Sequence, residues 1–178
     1  MSLLCLDFKS IAVGLDATNM ACALGDIEIL ETSAKPCGNF HLLAQGENDL
    51  ILDIQKKLSA EYDQVVDSCT VQSEIKELLN ALFGLKKIEI SDSLLILETE
   101  TLSTGIFICS KFTKQDGTTL IELDSGRANG GICVAYITGP EQVLKSLEQE
   151  ILKDRPPFLR NLTNITRPNE KFLKYFTL

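Results

Sequence analysis

LLCLDFKSIAVG, Leu3 to Gly14, returns as LLILETETLSTG, Leu94 to Gly105. In both stretches an apolar run ends in an acid, Asp7 or Glu98, and leads to a glycine early in a helical pattern, Gly14 or Gly105. Further along, DIEILETSAKPCGNFHLLAQGEN is echoed by TLIELDSGRANGGICVAYITGPE, where Gly38 answers Gly131 and Gly46 answers Gly139. The offset is 91 residues at Gly14 and Gly105 and 93 at Gly38 and Gly131. A period of this size is too long for a solenoid unit and suits a duplicated small domain. The slip of two residues predicts a longer first helix, or a longer turn after it, in the second copy. Two copies in one chain can replace two subunits of a symmetric ring.

Composition narrows the function classes. The chain has 178 residues and a formal charge of −8, which argues against nucleic acid as a main partner. No apolar run approaches the roughly 20 residues of a membrane span, and no basic segment followed by an apolar one suggests a signal peptide. Of the six cysteines, Cys5, Cys22, Cys37, Cys69, Cys109 and Cys133, none forms a CxxC pair. A zinc ribbon or thioredoxin-type site is therefore not indicated, and most of these thiols read as small hydrophobes in a reducing cytoplasm. With one histidine, no Ser–His–Asp or Cys–His pairing has support, and no phosphate-binding loop or dinucleotide fingerprint occurs. No enzymatic role is expected.

Leu3 to Phe8 reads as a strand, and Ser10 as the N-cap of a helix over Ile11 to Leu24. That helix is apolar on nearly every side, so a second cover from another domain or subunit is expected. Gly25 is expected to end it in a positive-φ conformation. Strands follow over Asp26 to Thr32 and Phe40 to Gln45, then a helix with Ile54 and Leu58 inward. A helix opening at Ser73 and closing at Gly84 crosses to the second copy. Pro140 starts the last helix, whose stripe is Val143, Leu144, Leu147 and Ile151. The tail from Arg155, with its aromatics Phe172, Tyr175 and Phe176, is expected to lie over a domain surface. The fold class is α+β, with each copy a strand–helix–strand–strand–helix unit plus a closing strand. The two domains are expected at 1–88, including the connecting helix, and 89–178, including the tail.

The sequence resembles the bacterial microcompartment shell-protein family, in its tandem-domain form. LLCLDFKSIAVG, the helix ending NMACALGDIEILE, the loop KPCGNF and the glycine of LLAQGEN carry the resemblance in the first copy. LLILET, SGRANGG and ICVAYITG carry it in the second, and it extends to the tail around ITRPNEKFLKYF. No single motif is specific; the order of many weak matches, met twice, is. The resemblance implies two ferredoxin-like domains per chain and a homotrimer that is pseudohexagonal around a central pore. It implies edge-to-edge packing with other shell proteins in a cytoplasmic microcompartment shell, and passage of small polar metabolites. Carried over, the pore loops are Lys35, Pro36, Cys37 and Gly38, and Arg127, Ala128, Asn129 and Gly130. The lysine that such tiles present at their edge is missing near Ala23, while Lys111 or Lys114 would serve in the second copy. The rival reading is a duplicated ferredoxin-like module that binds a regulatory small molecule between its copies.

Cys37 carries the one sharp chemical expectation. Some tandem shell proteins hold a 4Fe–4S cluster on the threefold axis through one loop cysteine per chain, and three thiolates at one point make a soft-metal site. Here Pro36 precedes Cys37, the reverse of that order, and the alternative is a reduced thiol with no metal. His41 reads as a hydrogen-bonded strand histidine. Asp7 and Glu98 read as helix caps or as acids at a domain interface.

Overall fold

The computed structural model describes residues 1–84 and 90–175. The domain boundary between 88 and 89, Phe176 and the Tyr175 side chain lie outside the described part. The chain runs β1 (Ser2–Phe8), α1 (Ile11–Leu24), β2 (Glu28–Ala34), β3 (Phe40–Gly46), α2 (Asn48–Glu61), β4 (Val65–Val71) and α3 (Ile75–Leu82). The same order follows as β5 (Ser93–Thr99), α4 (Leu102–Phe112), β6 (Thr119–Asp124), β7 (Cys133–Gly139), α5 (Glu141–Asp154), β8 (Leu159–Thr166) and α6 (Glu170–Tyr175). The two antiparallel sheets have matching orders, β2-β3-β1-β4 and β6-β7-β5-β8. This is the α+β duplication expected from the repeat. The closing strand of the second copy is β8, so the tail after Arg155 supplies a full ladder member before it becomes surface helix.

The registers move the two-residue slip. In the first sheet Asp7 faces His41, and His41 faces Ser33. In the second Glu98 faces Val134, and Val134 faces Asp124. Cys5, Leu43 and Glu31 likewise match Ile96, Tyr136 and Glu122. Even the bulges recur, between Ile29 and Glu31 and between Leu120 and Glu122. The offset is thus still 91 through β6, and the extra residues sit in the β6–β7 loop, not in the first helix or the turn after it. Only the later glycines had fixed the larger offset, and nothing before them marked where it began.

The two faces of the first sheet have different covers. Leu4, Leu6 and Phe8 share a core with Ala17 and Ala21 of α1 and with Ile51, Ile54 and Leu58 of α2. Leu3, Cys5, Leu43, Cys69 and Val71, on the other face, share a core with Ile106, Cys109 and Phe112 of α4. The helix that opens the second copy therefore packs on β1 and β4 of the first. In return α3, which follows β4, packs on β6 of the second copy through Leu78 and Ala81. The copies are joined head to tail through one shared apolar core.

Local chemistry places these helices. Ser10 accepts from the Val13 amide at 3.4 Å, and Thr101 from the Thr104 amide at 3.3 Å, which caps α1 and α4 alike. Gly25 differs from the expectation: its φ of 171° is ordinary extended backbone. Space explains it, since a Cβ there would lie 2.7 Å from Leu50 Cδ1. The matched glycines Gly14 and Gly105 are also unequal. A Cβ on Gly14 would meet the Phe40 ring at 2.2 Å, whereas one on Gly105 would find Thr99 Oγ1 at 3.1 Å and Leu123 at 3.6 Å. Gly105→Ala should accordingly change stability by less than about 1 kcal/mol, the helix-propensity gain offsetting a small adjustment of Thr99. A denaturant midpoint moved by more than that would contradict the reading.

Candidate functional site

The β2–β3 and β6–β7 loops lie side by side at one end of the joint between copies. Pro36, Cys37 and Gly38 are exposed, as are Arg127, Ala128, Asn129 and Gly130. The Cys37 sulfur rests against Gly131, where a Cβ would come within 2.8 Å of it. Gly131 also has φ of +90°, so both space and backbone call for glycine there. Asp124 organises the longer loop by accepting from the Gly126 amide at 2.6 Å and from Asn129 Nδ2 at 3.0 Å. The structure thus brings seven of the eight loop residues named from the sequence to one exposed rim.

Lys35 is the exception and corrects the expectation of an open loop lysine. It is 3 % exposed, and its Nζ lies 3.5 Å from Asp7 Oδ1 and 3.4 Å from Cys133 Sγ. Asp7 in turn accepts from the Leu102 amide at 3.2 Å, the Ser103 amide at 2.8 Å and Ser103 Oγ at 2.7 Å. Its carboxylate therefore caps α4, the first helix of the other copy, at the positive end of the helix dipole. Burial opposes the Lys35 charge, but Cys133 and Asp7 outweigh it and hold its pKa above the ordinary lysine value. Burial pushes Cys133 up to about 12, so at neutral pH it is a thiol and Asp7 is the anion that balances Lys35.

Two further acids bind the copies together. Asp67 accepts from the Thr104 amide at 3.0 Å and from Thr104 Oγ1 at 2.7 Å, and also from Thr101 Oγ1. Glu31 lies 2.9 Å from His41 Nε2 and takes the Arg127 guanidinium at 2.5 Å. His41 is a fully buried strand histidine bonded through Nε2, as read from the sequence. Burial works to raise the Glu31 carboxyl, but His41 and Arg127 prevail and hold it below 4.5. A depressed carboxyl contributes stability above its ordinary pKa and loses it as pH falls through the lowered value. Thermal stability should therefore decline below about pH 4.5, and Glu31→Gln should show a shallower decline. Glu31 and Asp67 escape a sequence reading because each occupies an ordinary polar position of a strand.

The centre of the contact between the copies is filled by the shared core under α4. Along its margins, clefts of about 520 Å³ beside Glu31 and Arg127, about 340 Å³ beside Asp67 and Phe107 and about 640 Å³ beside Lys9 and Glu100 open to solvent. Among the described residues no group of three or more His, Cys, Asp or Glu within one chain could hold a metal ion. No described helix is long and apolar enough to cross a membrane. Lys111, one of the two lysines expected to serve at the edge, pairs with Glu150 and Asp154 at 3.2 Å each and stands over the Phe107 ring.

No protein-family model matches the chain. It is 24 % identical over 135 residues to the bacterial microcompartment shell protein PduT of Citrobacter freundii, covering 75 % of this chain and 73 % of that one. Its fold superposes on a microcompartments protein of Desulfitobacterium hafniense with a TM-score of 0.79. That match has 19 % identity and covers 97 % of this chain and 98 % of the other. The chain is a two-copy protein that resembles a bacterial microcompartment shell protein in sequence and has the fold of a microcompartments protein from end to end.

Proposed function

We propose that this chain is a structural shell protein of a bacterial microcompartment, three copies of which close into a pseudohexagonal ring with a central pore. The observation that carries the ring is an inequality between two matched helices. α4 is buried on nearly all sides because it lies between both sheets, whereas Ile11 and Leu15 of α1, which match Leu102 and Ile106, are 37 % and 54 % exposed. A helix so apolar calls for the cover its counterpart has. Repeating the head-to-tail contact of the two copies from chain to chain generates a ring when the rotation closes. The exposed loops would then face one axis, and small polar metabolites would pass between them while the remaining edges meet other shell proteins. The role is structural and not enzymatic, in the cytoplasmic shell. Electron microscopy of the purified protein should give rings of six lobes around a central hole; isolated two-lobed particles would contradict this reading.

Cys37 would hold the iron–sulfur cluster in such a ring. The residue fits in being exposed, one per chain, on the loop that the ring turns inward, so three chains offer three thiolates. A 4Fe–4S group bound there would supply one-electron transfer across the shell. Protein purified without oxygen should contain iron and sulfide at about one cluster per trimer, and Cys37→Ser should lose both and keep the trimer. Wild-type protein free of iron that cannot be reconstituted would leave Cys37 a plain thiol.

A further inference from the structure

Within the chain, two of the three acids that face the second copy meet a cation, while Asp67 meets only hydroxyls and an amide. Asp7 meets Lys35, and Glu31 meets His41 and Arg127. The ladder registers identify the matching face of the second sheet, where Glu98 replaces Asp7, Glu122 replaces Glu31 and Asp124 replaces Ser33. The balancing groups are gone. Val134 replaces His41, Gly126 stands two residues after Asp124 where Lys35 stands two after Ser33, Pro36 answers Arg127 at the offset of 91, and Asn161 takes the place of the acid Asp67. Among the described residues no helix covers this face within the chain: Ile96, Glu98, Val134 and Tyr136 are half-buried, and Asn161 and Thr163 are exposed.

Resting on the ring reading above, we propose that α1 of a second copy docks on this open face and that the joint between chains takes up protons as it closes. The docked position copies the contact of α4 with the first sheet, which sets Ile11, Ala12 and Leu15 against Ile96 and the Glu98 carboxylate beside the first amides of α1. Among the described residues, the other charges stay at the rim or are already held. The incoming helix brings Asp16 and, before it, Lys9, which matches Glu100 at the exposed rim of the cleft shared with Asp63 and Val65. The Lys35 of each copy is held by its own Asp7, Arg127 is held by Glu31, and Arg160 lies at the irregular end of the β8 ladder. The acids already act on one another before docking: burial and Asp124 raise the Glu122 carboxyl, while burial, Glu122, Asp124 and Glu98 raise the Tyr136 hydroxyl. In the contact within the chain, the Glu31 side chain is only 7 % exposed. Glu98 would gain the first amides of α1, which favour its charge as those of α4 favour that of Asp7, so the uptake falls on Glu122: burial of that order without a cation favours its neutral carboxyl, and a group that binds a proton more tightly in the assembled state makes assembly tighter as pH falls.

Sedimentation velocity on the full chain, in the dilution range where chains separate, tests this. Between about pH 8 and about pH 5 the dissociation constant should fall about threefold or more, the effect of one glutamate carboxyl raised by one unit. Glu122→Gln should associate more tightly than wild type at the high pH and lose most of the dependence, whereas Glu98→Gln should keep it. A flat or opposite pH profile, or a Glu122→Gln variant that keeps the wild-type slope, would overturn the proton uptake. Leu15→Asp separates the two ideas. It should prevent association at every pH, and if it associates as wild type does, the docking of α1 and the ring reading fail together.

Discussion

Asp7→Ala is expected to lower stability by about 3–5 kcal/mol, the cost of leaving a buried charge without its partner. The carboxylate is 4 % exposed and serves Lys35, two backbone amides and a hydroxyl at once. Removing it strands the Lys35 ammonium in a pocket whose other neighbour, Cys133, is a neutral thiol. The variant should also loosen the contact between copies, because Leu102 and Ser103 open α4 and lose their cap together. Denaturant unfolding of Asp7→Ala, Lys35→Met and the double variant forms the test. The double variant should recover much of the loss, since an apolar replacement of both partners leaves no unpaired charge. Equal losses that simply add would show that the ion pair does not hold the joint. The raised Lys35 pKa fixes the pH range: its contribution is fully present below 10.5 and is lost as pH rises through the higher folded value.

Gly14→Val is expected to prevent the first copy from folding normally. A single Cβ already falls 2.2 Å from Phe40 Cδ1. Phe40 cannot give way, because it is 2 % exposed and meets the fully buried Phe8 ring edge to face at 6.2 Å. Overpacking by one methylene costs about 1–3 kcal/mol, and a branched side chain on the helix adds two more carbons than Ala. Gly14→Ala should show an intermediate loss, and combining it with Phe40→Leu should restore part of it. Wild-type melting of Gly14→Val would mean that α1 does not lie this close to β3.

How far the sequence discloses this molecule depends on which residues repeat. The duplication, the bounds of α1 and the need for a second cover over it are legible because apolar spacing and glycines recur in both copies. β8 is harder to see because its apolar residues, Leu159, Leu162 and Ile165, fall at every third position and not every second, between prolines. The site is half legible. Cys37 and Arg127 are recognisable as exposed loop residues, but Lys35 is not recognisable as buried, because its partner Asp7 is distant in sequence and its cover, Cys133, belongs to the other copy. Charge balance between copies becomes visible only when the ladders show that Glu98 and Glu122 stand where Asp7 and Glu31 do. The same comparison shows why the two copies are not interchangeable: the first sheet meets cations within the chain, and the matching positions carry none.

The central claim is that the contact between the two copies is repeated from chain to chain until a ring of three closes. Light scattering on the purified full chain at near-neutral pH measures it most directly. The account predicts a mass three times the 19.6 kDa of one chain, reduced to a single chain in Leu15→Asp. A wild-type protein that is monomeric or dimeric at micromolar concentration would contradict it.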